Sequence, residues 1–377
     1  MRILIVSGMW PPDVGGPASH APELASYLQG RGHEVEAATM ADREPAPQPY
    51  PVHWASRRMP IGVRHARAVE TVRRAARRAQ VVYSTGMIGR STLGTALARK
   101  PILVKLTSDP VFERSIRFGL WASDLDTFQQ TGGARIKLLR LARDLELRRA
   151  THIIVPSEAL RQLALRWGLS PDRVTLVRNP VPRPPELPDR EELRRRHGLD
   201  GKTLVFAGRL VPQKSIDVSL EALNRLPDVS LVLAGEGPFR DRLHAHARRL
   251  GLFGTRVRFL GPQSRETVLE LLKAADAALL SSSWENFPHM LVEALALGTP
   301  VIATETGGVS EIVRDGENGL LVPPGDPAAL AATIERYYAD PALQERLRAN
   351  AVESVAHFDP DVAYREIEEL LVRIAER

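Results

Sequence analysis

Thr203-Leu204-Val205-Phe206-Ala207 runs without a break into Gly208-Arg209-Leu210-Val211-Pro212-Gln213-Lys214-Ser215, an apolar segment ending in a glycine turn that carries two cations. The apolar run predicts a buried strand, and the helical spacing after Ser215 makes the whole a strand-turn-helix unit. The same alternation recurs outward in both directions. Strands are expected at residues 3–6, 35–38, 81–84, 102–106, 153–155 and 174–177, and again at 203–207, 230–234, 257–259, 277–280, 300–303 and 319–322. Between the two series lies Asn179-Pro180-Val181-Pro182-Arg183-Pro184-Pro185-Glu186-Leu187-Pro188, in which five of ten residues are proline. Such a stretch cannot be helical and acts as a stiff linker.

The pattern predicts an α/β protein of two doubly wound, Rossmann-like parallel-sheet domains facing across a cleft. Their expected bounds are 1–179 for an N-terminal domain, 180–188 for the linker, and 189–358 for a C-terminal domain. A break at Asp359-Pro360 then precedes a last helix, 359–377, expected to cross back to the first domain. Ligands of such folds sit at the carboxyl ends of the strands.

Composition sets outer bounds. The 377 residues accommodate two domains of about 150 residues or slightly more. With 44% hydrophobic and 25% charged residues, disorder, collagen and coiled coil are disfavoured. No apolar run is long enough to span a bilayer, and Pro11-Pro12 interrupts any signal-like start, so a cytoplasmic protein is expected. The absence of cysteine removes disulfides, thiolate metal sites and cysteine catalysis. Charge divides unevenly: residues 1–179 hold 27 Lys+Arg against 15 Asp+Glu, and residues 180–377 hold 24 against 30. A basic first half suits phosphate or an anionic membrane surface, with an arginine-rich composition as the plain competing explanation.

Several turns carry candidate chemistry. Trp10-Pro11-Pro12-Asp13-Val14-Gly15-Gly16-Pro17 follows the first strand, and paired glycines at a helix start let backbone amides approach an anion. This is not the dinucleotide fingerprint GxGxxG, so a nicotinamide domain is weakly supported. Arg209 and Lys214 place two cations where charge builds on a departing diphosphate. Gly235-Glu236-Gly237-Pro238 repeats the strand-to-helix turn. In Glu285-Asn286-Phe287-Pro288-His289-Met290-Leu291-Val292-Glu293, Pro288 is read as the first helical residue, with the amides beyond it open to a phosphate oxygen. Glu293 falls one turn later on an apolar face and needs a polar partner. Thr306-Gly307-Gly308-Val309 supplies one more glycine turn.

Together these segments resemble GT-B glycosyltransferases of family 4, the large retaining group that includes bacterial mannosyl- and glucosyltransferases. The resemblance is carried by Pro11-Pro12 with Gly15-Gly16, Gly32-His33-Glu34-Val35, Val155-Pro156-Ser157-Glu158, Asn179-Pro180, Gly208 through Lys214, Gly235 through Pro238, Glu285 with Glu293, and Gly307-Gly308. It implies that a UDP-, GDP- or ADP-sugar donates a hexose to a hydroxyl acceptor, with no cofactor and no metal. It places Gly15 and Gly16 against the donor diphosphate, with Gly208, Gly237 and the run Asn286, Phe287, Pro288, His289, Met290 and Leu291 around the donor. Arg209 and Lys214 match the two diphosphate cations, Glu285 the carboxylate near the transferred sugar, and Glu293 the ribose ligand.

Asp109 falls where relatives place an Asp or His near the reaction centre, and a helix N-cap ahead of Pro110 is the equal alternative. The run from Lys105 to Arg114, with Leu125-Asp126-Thr127-Phe128-Gln129, resembles members that build exopolysaccharide or O-antigen on polyprenyl carriers. Asp124-Leu125-Asp126 has the form of a metal-binding DxD but reads as a surface acidic pair. A sugar-nucleotide epimerase of the same fold, a transferase for a soluble small-molecule acceptor and a non-catalytic polyanion binder are the competing functions. Nucleic acid is not an expected partner. Residues 64–80 predict a helix with Val69, Val72, Ala76 and Ala79 on one side and Arg67, Arg74, Arg77 and Arg78 around the rest. Its two readings are a cover for the sheet and a peripheral dock on anionic lipid at the inner membrane face.

Overall fold

The computed structural model describes residues 1–13, 16–120, 125–130 and 132–376. The chain forms two compact units, Met1–Arg178 with Asp361–Arg377, and Asn179–Pro360. The last helix, Pro360–Ala375, thus belongs almost wholly to the first unit.

In the first unit the strands are β1 (Arg2–Ser7), β2 (Glu34–Ala41), β3 (Val52–Ser56), β4 (Val81–Ser84), β5 (Ile102–Lys105), β6 (His152–Val155) and β7 (Val174–Leu176). They form one parallel sheet in the order β3-β2-β1-β4-β5-β6-β7, with Ile3 beside Val35 and Val81. In the second unit β8 (Lys202–Ala207), β9 (Val229–Ala234), β10 (Val257–Gly261), β11 (Ala277–Leu280), β12 (Val301–Thr304) and β13 (Gly319–Val322) pair in parallel as β10-β9-β8-β11-β12-β13. Helices cover the sheets, so central strands such as Leu4 to Val6 and Leu204 to Phe206 are buried and continuously apolar.

In both sheets the chain order reverses beside the first strand, at β1/β4 and at β8/β11. Strand carboxyl ends diverge there and leave room for a ligand. These are the doubly wound α/β sheets expected from the strand pattern.

One strand differs from expectation. Val52-His53-Trp54-Ala55-Ser56 forms the sheet edge, follows the proline-rich run 45–51 and buries only Ala55, so it lacks the apolar run that marks interior strands. The helix over 64–80 spans Ile61–Arg78 and buries Ala68, Val72, Ala75 and Ala76; its C-cap Ala79 is buried as expected, while Val69 is half-buried. It packs on the helix Ile88–Leu97, where a side chain at Gly94 would collide with Val69 and Val72. Residues 180–188 have no helix or strand. The Val181 amide donates to the Phe358 carbonyl (3.0 Å), and Arg183 pairs with Asp359. Among the described residues no helix is long and apolar enough to cross a membrane.

Candidate active site

The switch point of the second unit gathers four turns. The turns after β8 and β9 lie backbone to backbone: Gly208 N–H donates to the Ala234 carbonyl (2.9 Å) and Leu210 N–H to the Glu236 carbonyl (3.0 Å). Gly237 continues this contact, and the Phe239 amide donates back to the Leu210 carbonyl (3.0 Å). Gly235 must lack a side chain, because a Cβ there would overlap the Gly208 carbonyl oxygen. From the other side, Gln213 Nε2 donates to the Trp284 carbonyl (2.7 Å) and the Ser283 amide to the Gln213 carbonyl (2.9 Å). The turns after β8 and β11 are thereby fastened together before any side-chain charge is considered.

Two charges meet inside this frame. Lys214 Nζ lies 2.5 Å from Glu285 Oε1, and the Ser282 hydroxyl donates to the same oxygen at 2.6 Å. Glu285 is buried and Lys214 largely so. The Glu285 carbonyl accepts from Gly308 N–H (3.0 Å), while Gly307 adopts φ +53° where a Cβ would overlap that carbonyl. The turn after β12 therefore sets the height of the Glu285 backbone, which explains the glycine at 307. Arg209 is exposed on the rim. The expected cation pair thus divides into Lys214, committed to Glu285, and Arg209, turned to solvent.

The helix after β11 runs His289–Ala296, with Pro288 as its N-cap instead of its first residue. His289 and Met290 hold the first two helical positions, whose amides have no acceptor within the helix. The Leu291 amide is taken by the Pro288 carbonyl (3.0 Å) and its side chain is wholly buried, so Leu291 supports the turn and does not present a donor. Phe287 packs edge-on to Phe358 (5.2 Å between centroids), and Met290 is buried with its sulfur accepting the Ala207 amide. His289 is exposed, with Nε2 3.5 Å from Asn179 Nδ2, and Asn286 is half-buried. Of the expected run, His289 is exposed and Asn286 half-buried, while Phe287, Met290 and Leu291 are buried behind them.

Glu293 has the polar partner its position demands. Arg265 lies 3.1 Å from Glu293 Oε1 and is half exposed. Burial raises the Glu293 carboxyl above its ordinary range, and the Arg265 charge opposes that rise. Arg265 and Ser282 were not legible as site residues from sequence. The run Ser281-Ser282-Ser283 at the carboxyl end of β11 was a usable signal for Ser282, whereas nothing local to Arg265 points to Glu293.

In the first unit, Gly16 opens the helix Gly16–Gly30, while Gly15 and Asp124 lie outside the described residues. Asp109 resolves to the capping alternative. It is fully buried, its Oδ1 accepts the Val111 and Phe112 amides (2.9 and 3.3 Å), and its Oδ2 meets Gln129 (2.8 Å) and Arg143 (3.0 Å). Arg143 in turn stacks on Trp167, 3.7 Å from the ring centroid. Every lone-pair direction of this carboxylate is engaged within the first unit, so the capping role is the one its contacts display. Nearby, Lys105 is buried at the end of β5, with Nζ 3.3 Å from His20 Nε2, and His20 Nε2 is 2.7 Å from the Tyr83 hydroxyl. Burial pulls the Lys105 amine down to about 7.

A glycosyl transferase 4-like domain matches residues 15–180, and the domain of glycosyl transferases group 1 matches residues 189–354. A D-inositol 3-phosphate glycosyltransferase of Mycolicibacterium gilvum is 39% identical over 55% of this chain and 49% of its own length. A glycogen synthase of Mycobacterium tuberculosis is 28% identical over 95% of this chain and 91% of its own. The chain spans half or less of the length of the first curated relatives it matches. Among solved structures, Anabaena HepE in complex with UDP-glucose superimposes with a TM-score of 0.79 at 24% identity, covering 99% of this chain and 100% of that one. With a glycosyl transferase domain matched in each half and the fold shared end to end, the chain belongs to the GT-B glycosyltransferases of family 4.

Proposed function

We propose that the protein transfers a hexose from a nucleoside-diphosphate sugar to a hydroxyl acceptor with retention of configuration, and that the second unit holds the donor. The observation that carries this is the Lys214–Glu285 contact at the β8/β11 switch point, with Arg209 exposed on the same turn as Lys214. A sugar diphosphate needs cations at its phosphates and a hydrogen-bond acceptor at its sugar, and Lys214 and Glu285 bring one of each into contact. Glu293 takes the ribose hydroxyls, with the Arg265 charge opposing the rise that burial imposes on its carboxyl. The amides at the start of the helix His289–Ala296 take a phosphate oxygen.

As the bond from sugar to phosphate breaks, Arg209 and Lys214 hold the charge that develops on the departing oxygen. That oxygen accepts the proton of the incoming acceptor hydroxyl on the same face, so no separate carboxylate nucleophile is required and retention follows. Both cations are part of the chain, and transfer proceeds without a divalent metal. The basic first unit receives the acceptor, a polyprenyl-linked or other polysaccharide intermediate.

The test is a thermal shift panel of UDP-, GDP- and ADP-sugars, since a bound donor stabilises by mass action. Release of nucleoside diphosphate with and without added acceptor follows. Acceptor-dependent release supports transfer, and interconversion of the donor without acceptor identifies an epimerase instead. Retained turnover in chelator supports the metal-free step, and restoration by magnesium or manganese overturns it.

A further inference from the structure

The helix Ala134–Arg148 presents a leucine stripe that packing does not use. Leu138, Leu141 and Leu145 are 66%, 65% and 52% exposed and share one face by their spacing. The opposite face is fixed: Ile136, Arg143 and Leu147 are buried, and Arg143 is held by Asp109 and Asp144. The helix is therefore anchored in the fold with an apolar side turned to solvent. Exposed cations close both ends of the stripe, Arg135 and Lys137 before it and Arg148 and Arg149 after it. The two acids of the helix, Asp144 and Glu146, are half-buried on the inner side.

We propose that this face docks the first unit on an anionic bilayer surface, the leucines entering the boundary of headgroups and acyl chains and the four cations meeting lipid phosphates. Charge selects this occupant. A second copy packed on the same face through a two-fold axis brings like-charged rims together, which repel. The helix Ile61–Arg78 is the weaker surface, because Arg73 and Arg74 are tied to Glu70 and Arg78 to Glu36. Docking is a binding property of the first unit and does not rest on the transfer chemistry proposed above.

The experiment is co-sedimentation of the full chain with phosphatidylcholine vesicles, with and without phosphatidylglycerol, across a salt series. Wild type is expected to bind the anionic vesicles, with salt weakening but not abolishing the attachment. Leu138→Gln, Leu141→Gln and Leu145→Gln combined should lower partitioning about tenfold or more while the thermal melt is unchanged, since all three side chains are already exposed. Arg73→Gln, Arg74→Gln, Arg77→Gln and Arg78→Gln combined should bind nearly as wild type. The proposal fails if wild type ignores anionic vesicles, if the leucine variant binds equally, if the arginine variant alone loses binding, or if wild type is a dimer that the leucine variant dissolves.

Discussion

Lys214 and Glu285, 71 residues apart in sequence, meet at 2.5 Å and join the turns on either side of the β8/β11 switch point. Neither turn can shift without separating a largely buried pair, so the contact fixes the positions from which a donor would be gripped. The lysine is also shared: a phosphate that arrives must compete with Glu285 for it.

That sharing separates binding from transfer. Glu285→Gln releases Lys214 to a phosphate, so nucleoside diphosphate should bind as tightly as to wild type or more so, while transfer falls by about 10²–10³-fold as the acceptor at the sugar is weakened. Lys214→Met leaves the buried carboxylate with Ser282 as its donor and should lose up to about 3 kcal/mol of stability together with diphosphate affinity. Calorimetric titration with nucleoside diphosphate, alongside turnover, checks both. Equal losses of binding in the two variants would contradict the sharing.

Glu293 should show opposite effects on stability and on binding. Its folded carboxyl holds a proton more tightly than the unfolded chain does, so its stability contribution is full below the ordinary value of 4.5 and is lost as pH rises through the raised folded value. Glu293→Gln should therefore stabilise the unliganded protein at neutral pH and weaken donor binding. Arg265→Gln removes the charge that opposes the rise, moving the fall in donor affinity on acidification to higher pH. Melts and donor titrations across pH decide this, and an Arg265→Gln profile identical to wild type rules out the assigned coupling.

Asp109 is expected to act on folding. Asp109→Ala removes the helix cap and leaves Arg143, a 4% exposed side chain, with Asp144 as its remaining carboxylate, and should cost about 3 kcal/mol in urea unfolding. Asp109→Asn keeps the cap acceptor for Val111 and should cost less. Turnover per folded molecule should survive in the Asn variant. A folded Asp109→Asn protein that cannot transfer would return this residue to the chemistry.

The last helix is sensitive to acid. Glu368 Oε1 lies 2.9 Å from His33 Nε2, with Arg31 at 3.2 Å from Oε2. Burial works against the Glu368 carboxylate, but the His33 and Arg31 hydrogen bonds outweigh it and hold the carboxyl below its ordinary 4.5. Its stabilisation is present above that value and lost as pH falls through the depressed folded one. Hydrogen exchange should show Pro360–Ala375 losing protection in acid before the core strands do, with Glu368→Gln already less protected at neutral pH. Protection that ignores both changes would mean the apolar face alone secures the helix.

The strand-and-turn rhythm was readable because parallel strands buried on both faces must be apolar runs, and the turns at their carboxyl ends must carry glycine where backbones touch. The edge strand Val52–Ser56 escaped because a half-covered strand needs no such run. Arg209, Lys214, Glu285 and Glu293 were legible as residues, but their pairing was not. Whether a lysine is open or bound to a carboxylate 71 positions away is decided by how two turns lie against each other, as is the partnership of Arg265 with Glu293. Asp109 shows the same limit: Pro110 announced a cap, whereas Gln129, Arg143 and Trp167 reach it only through tertiary packing.

The placement of Pro360–Ala375 bears on the order in which the protein is made. Tyr364, Ile367, Leu370, Leu371 and Ile374 fill the same core as Ile3, Ile5 and Leu24, so the first unit lacks part of its interior until Pro360–Ala375 has left the ribosome. The second unit, Asn179–Pro360, is uninterrupted in sequence and can complete itself first. The sheet of the first unit is begun before the second unit and finished after it, and through that interval its unfilled apolar face is the surface for which a nascent-chain chaperone would compete.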